Sequence, residues 1–217
     1  MEIKQNNLIK SLKVQPLIVV IRLESEFFNI SYKRDNLLSS IDKLTNSGII
    51  NIEIGWDSDP EWVNLVSEIK TSFKYINIGA ASISSLQSLD SILSLDLNYS
   101  MSPIFKKEIH LQAIKSNQLV IPGIANIEDF KEAIKLGYKI IKIFPASKLG
   151  INFLNQLKVF KEIDTFLIGA GGIKSKDFKK WFQSGYNALA IGKELKHHIP
   201  DQDLAIWLEN LQKKHFN

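Results

Sequence analysis

The chain has 217 residues, 45% of them hydrophobic and 23% charged, with a net charge of +4 and no cysteine. This is the composition of an ordinary soluble globular protein. It excludes disulfides, a thiolate nucleophile and a cysteine-held metal, and it suits the cytoplasm, where the protein is expected. No apolar run approaches the ~18 residues of a transmembrane helix, so no membrane partner is expected. The lysines are scattered without interleaved aromatics, which argues against a nucleic-acid partner.

In chain order, "MEIKQNNLIKSLKVQP" mixes charges with apolar residues and predicts a short helix before the first strand. Short β-branched runs then alternate with amphipathic stretches, the pattern of βαβ units and a parallel sheet. The predicted strands are "PLIVVIR" (16–22), "INIEI" (50–54), "YINIG" (75–79), "DLNYS" (96–100), "QLVI" (118–121), "IIKIF" (140–144), "TFLIG" (165–169) and "ALAIG" (188–192). Eight strands with eight helical segments predict a (β/α)8 TIM barrel of α/β class, a single domain over 1–217.

Helix ends are readable. "NIEDFKEAIKLG" offers Asn126 as N-cap, a stripe of Phe130, Ala133 and Ile134, and Gly137 as the stop. "SKDFKKWFQSG" repeats the scheme with Ser175, the stripe Phe178, Trp181 and Phe182, and Gly185. The two segments and their following strands share Asp-Phe-Lys, Gly-Tyr and a final Ile, as if one βα unit were reused. The closing stretch is amphipathic through Leu204, Trp207, Leu208 and Leu211, and predicts the last barrel helix.

The helix-ending glycines set the register of two strands. Lys142 lies five residues after Gly137, and Glu53 lies five residues after Gly48. Strand side chains alternate between faces. The isoleucines at 50, 52 and 54 need helices over them, which turns Glu53 into the barrel, and the same register turns Ile140, Lys142 and Phe144 inward. A lysine and a carboxylate are thus expected inside the barrel near its C-terminal end, where such barrels carry out chemistry. The plain reading is a buried ion pair, which desolvation makes an expensive way to hold a fold. The functional reading is a desolvated amine that attacks a ketone to form a Schiff base, with a carboxylate to move protons. No metal-ligand spacing is visible, and His197–His198 lies in a polar segment.

"GAGGI" (169–173) follows the seventh strand and "IGKEL" (191–195) the eighth, where barrels often bind phosphate through backbone N–H groups. Lys193 could add charge there. Arg22, one of only two arginines, ends the first strand and suits a carboxylate.

Together these segments resemble the class I 2-keto-3-deoxy-6-phosphogluconate (KDPG) and 4-hydroxy-2-oxoglutarate (KHG) aldolase family. The resemblance runs from about residue 14 to 195 and keeps the order "VIR", "IEI", "IGAAS", "MSP", "VIPGIA", "KIFPAS", "GAGGI" and "IGKEL". It implies that Lys142 is the Schiff-base lysine and Glu53 the acid/base residue. It further implies a small-molecule 2-keto acid substrate cleaved to pyruvate and an aldehyde, no cofactor beyond the covalent imine, no metal, and a homotrimer.

Some residues depart from the family pattern. Asp57 stands where KDPG aldolases usually carry an arginine for the substrate carboxylate. "EIGWDSDPEW" is closer to the 2-keto-3-deoxy-6-phosphogalactonate branch, in which the strand-one arginine, here Arg22, is expected to bind substrate. Ala81 and Ser82 replace Gly-Thr, Ile104 replaces Gly or Asn, and Glu194 falls where a phosphate-facing serine is lost. The expected substrate-binding set is Arg22 and Ser82 for the keto acid, Gly171, Gly172, Gly192 and Lys193 for a distal phosphate, and Pro122 and Phe144 as walls. Two other readings are a phosphate-binding barrel epimerase or isomerase, and a non-catalytic metabolite-binding descendant of the aldolases.

Overall fold

The computed structural model describes residues 1–23, 28, 31–157, 164–192 and 202–216. Its strands are β1 (Leu17–Ile21), β2 (Asn51–Gly55), β3 (Asn77–Ala81), β4 (Tyr99–Met101), β5 (Val120–Ile121), β6 (Gly123–Ile124), β7 (Ile140–Ile143), β8 (Phe166–Ala170) and β9 (Ala188–Ile191). All pair in parallel in the order β5-β4-β3-β2-β1-β9-β8-β7-β6. The two ends of this sheet are two halves of one extended segment, parted only by Pro122, whose nitrogen has no hydrogen to donate. The sheet therefore closes on itself, and the predicted eight-stranded barrel is the observed one with its fifth strand broken in two.

The helices are α1 (Glu2–Val14), α2 (Ser31–Asn46), α3 (Trp62–Ser72), α4 (Leu86–Leu93), α5 (Lys107–Lys115) and α6 (Ile127–Lys135). After them come α7 (Ala146–Leu149), α8 (Phe153–Leu157), α9 (Phe178–Ser184) and α10 (Gln202–Phe216). Ile52, Ile54, Ile141 and Ile143 are fully buried on the outer face of the sheet, where the helices exclude water from them. Asn126 caps α6 as expected, its side chain accepting from the Asp129 N–H at 2.8 Å.

α1 supplies polar partners to one end of the barrel. Ser11 Oγ donates to Asn51 Oδ1 at 2.9 Å, and Asn77 Nδ2 donates to both of those oxygens at 2.9 Å. Gln15 adds an acceptor for Asn51 Nδ2 at 3.2 Å. These inward polar groups of β2 and β3 are hydrogen-bonded, so their burial costs little.

Three local expectations shift. Strand three begins at Asn77, not 75, because Tyr75 is 99% exposed and contributes nothing to the sheet. Strand four begins at Tyr99, since Asp96 takes a left-handed φ of 42° and turns the chain first. Ser175 opens a short 3-10 turn, Ser175–Asp177, and Asp177 occupies the cap position of α9.

Candidate active site

Glu53 sits at the centre of β2 with only 2% of its surface exposed, and its Oε1 has no hydrogen-bond partner among the described residues. Register fixes where it points. Val20, Glu53, Gly79 and Tyr99 are aligned across β1 to β4, and side chains so aligned in parallel strands share a face. That inner face also carries Asn51 and Asn77, so Glu53 points into the barrel as the sequence suggested. Burial pushes its pKa up to about 7, against the opposing pull of Lys142 and then of Arg22.

Lys142 lies on β7, 7% exposed. Its backbone N–H donates to the Pro122 carbonyl at 2.9 Å, so the break in strand five also seats the lysine. Its Nζ lies 5.4 Å from the centre of the Phe144 ring, a cation–π distance that leaves the amine poorly hydrated. Burial is the main cause that lowers its pKa to about 8; Glu53 opposes that shift and Arg22 adds to it. A lysine so placed holds far more free amine at neutral pH than a solvated one.

Arg22 reaches this pair from the end of β1. Its Nη1 donates to Ser82 Oγ at 2.6 Å, just beyond β3. Gly55 leaves the space: a Cβ there would stand 3.2 Å from both Cδ and Nη1 of Arg22. Asp57, which stands where the family usually has an arginine, is engaged locally. Its Oδ1 accepts from the Asp59 N–H at 2.9 Å, the Asx turn that short acidic side chains favour.

Gly171 lies against the Phe144 ring, where a Cβ would come within 2.9 Å of it, so the glycine loop touches the strand of Lys142. Gly172 has a φ of +73°, and a Cβ on it would run into Ser147 Oγ; both conditions restrict the position to glycine. Gly192 follows β9, the strand paired with β8, and a Cβ on it would meet the Val20 carbonyl at 2.8 Å. Lys193, Glu194 and His197–His198 lie outside the described residues. Ala81 is buried in β3, while Ile104 is half exposed.

Sequence reasoning missed Tyr99. It is 1% exposed, its hydroxyl has no partner among the described residues, and Glu53 raises its pKa further beyond what burial does. The available signal was Gly79, since a glycine inside a strand often marks the close approach of another group.

An amine and a carboxylate buried inside a closed parallel barrel, with a guanidinium at its mouth, are the parts of an enzyme that works on carbonyl compounds. A family model described as KDPG and KHG aldolase matches residues 8–205, and the chain belongs to that family. The 2-dehydro-3-deoxy-6-phosphogalactonate aldolase of Escherichia coli (strain K12) is 23% identical over 181 residues, covering 83% of this chain and 84% of that one. A solved structure described as native KDPGal superposes with a TM-score of 0.76 at 20% identity, over 93% of this chain and 96% of the other. KDPG aldolase from Legionella pneumophila, solved with pyruvate captured as a covalent carbinolamine, superposes with a TM-score of 0.73 at 20% identity, over 94% and 93%. These likenesses show the barrel fold.

Proposed function

We propose that this chain is a class I aldolase that cleaves a 2-keto-3-deoxy sugar acid to pyruvate and an aldehyde, with Lys142 as the imine-forming amine and Glu53 as the proton carrier. The observation that carries the reading is the placement of these two groups, both nearly inaccessible to water, in one barrel interior with shifted proton affinities.

The free amine of Lys142 attacks the C2 ketone, and the carbinolamine loses water to give a protonated imine. The Glu53 carboxylate then takes the proton of the C4 hydroxyl as the C3–C4 bond breaks. The electron pair of that bond moves into the imine, leaving an enamine and releasing the aldehyde. Glu53, now protonated, returns its proton to C3, and hydrolysis releases pyruvate and regenerates the amine. The covalent imine is the electron sink, so the scheme calls on no metal. Arg22 pairs with the substrate carboxylate, with Ser82 holding the guanidinium. Pro122 and Phe144 wall the lysine. Gly171 and Gly172, with Gly192 and Lys193, receive a distal phosphate, and the names of the relatives favour a phosphorylated substrate.

The reading includes a homotrimer in the cytoplasm. The family resemblance supports the assembly. The lack of cysteine supports the compartment. Among the described residues no helix is long and apolar enough to cross a membrane.

Incubation with pyruvate and borohydride should leave a covalent adduct on Lys142 that Lys142→Met abolishes. An adduct that persists in the variant would sink the assignment. Glu53→Gln should trap pyruvate yet exchange its methyl protons far more slowly. Parallel cleavage assays with phosphorylated and unphosphorylated 2-keto-3-deoxy acids decide the role of the glycine loop.

A further inference from the structure

The unpaired polar atoms buried in this barrel are unevenly placed. The inward asparagines at the α1 end are hydrogen-bonded, whereas Glu53 Oε1 and Tyr99 Oη are two of five buried side-chain polar atoms that have no partner among the described residues. An unsatisfied buried polar atom costs roughly 1–3 kcal/mol, so two of them in one region call for an explanation.

Register makes them neighbours. Glu53 pairs with Gly79, and Gly79 pairs with Tyr99, so only one residue of β3 separates the two side chains. That residue has no side chain. A Cβ at Gly79 would lie 2.7 Å from both Cε2 and Cζ of Tyr99, so the far end of the phenol ring lies over the glycine. A tyrosine rooted in β4 whose ring tip covers β3 carries its hydroxyl onward, toward β2 and Glu53. The rise in the Tyr99 pKa caused by Glu53 agrees with that direction.

We propose that Tyr99 is a positioning residue, its phenol O–H donating to the Glu53 carboxylate through one buried water and so aiming that carboxylate for proton transfer. The contact satisfies both orphaned atoms at once. It also gives Glu53 a neutral donor on the β4 side, complementing the charges of Lys142 from β7 and Arg22 from the end of β1. A neutral donor stabilises the ionised carboxylate without competing for its proton, because burial keeps the phenol protonated.

The catalytic consequence rests on the aldolase reading, but the contact does not. Tyr99→Phe keeps the ring over Gly79 and removes only the oxygen, so the fold should survive. The experiment titrates the Glu53 side-chain carboxyl by carbon-13 NMR in the wild type and in Tyr99→Phe. Borohydride trapping and pyruvate methyl exchange are measured on the same samples. Loss of the donor should raise the Glu53 pKa by roughly one unit and slow exchange roughly ten-fold, with trapping on Lys142 unchanged. A Glu53 titration identical in both proteins overturns the proposal whatever the trapping gives. A shifted titration without trapping in the wild type leaves the Tyr99 contact standing and takes down the aldolase reading instead.

Discussion

Arg22 Nη1 donates to Ser82 Oγ at 2.6 Å, tying the end of β1 to the end of β3 across the side-chain-free Gly55 of β2. The guanidinium has further donors to offer, and its partner here is a neutral hydroxyl. Its charge is therefore available to the carboxylate of the proposed substrate. Arg22→Gln should raise KM for pyruvate and for the full keto acid roughly ten- to hundred-fold with a smaller change in kcat, as expected for loss of a charged hydrogen bond. Ser82→Ala should move KM in the same direction by less. Steady-state kinetics decide it, and an unchanged KM in Arg22→Gln would remove Arg22 from the site.

Lys142 should govern the pH dependence of imine formation. A lysine whose pKa has fallen from 10.5 to about 8 holds roughly three-hundred-fold more free amine at pH 7 than an ordinary one. The rate of borohydride-trapped adduct formation should therefore climb through neutral pH, with a midpoint near pH 8, and level off above it. Phe144→Ala lets water reach the amine, which should move that limb to higher pH and slow trapping at pH 7. A limb already near 10 in the wild type would show that burial does not activate this lysine.

The two groups proposed to react were legible because their positions follow from a short local rule. Gly48 and Gly137 both take positive φ after their helices, at 89° and 84°, and five residues later the chain has reached equivalent depth in the barrel. Tyr99 was not legible, since its neighbour Glu53 lies two strands away and only the cross-strand register reveals it. The break at Pro122 was hidden for a similar reason. "QLVI" reads as a complete strand, but the carbonyl of the proline still accepts from Lys142 while its nitrogen cannot donate.

A second buried cluster sets a pH dependence of stability. His110 is fully buried between Tyr138 Oη, 3.0 Å from Nδ1, and Ser102 Oγ, 3.3 Å from Nε2. Ser102 Oγ in turn accepts from the Gly123 N–H at 3.1 Å, tying α5 to the strand that carries Pro122. Burial lowers the His110 pKa from 6.5 to about 4, so the unfolded chain binds its proton first as pH falls. This contribution to stability is whole above pH 6.5 and declines toward pH 4, by roughly 2 kcal/mol at pH 5. Glu53 works the other way, since a raised carboxyl pKa favours the folded state as pH drops from about 7 to 4.5. The informative quantity is therefore a difference. Between pH 7 and 5, wild type should lose more melting temperature than His110→Gln does, and equal losses would show that the imidazole is not held neutral.

Removing the proposed catalytic amine should strengthen the fold. Lys142 is buried among apolar side chains, and its protonated form is destabilised by desolvation. With the folded pKa near 8 and the ordinary value at 10.5, that penalty is complete below about pH 8 and fades as pH rises toward 10.5. Methionine has similar length and flexibility and carries no charge. Glu53 loses a favourable neighbour in the variant, which its own raised pKa lets it offset by taking up a proton. Lys142→Met should gain roughly 1–2 kcal/mol at pH 7, or about 2–8 °C in melting temperature for a chain of this size, while losing the pyruvate adduct. The gain should shrink when unfolding is repeated near pH 10. A lower melting temperature at pH 7 would instead make Lys142 a structural member of an ion pair with Glu53, whose partner cannot be removed without leaving a buried charge behind.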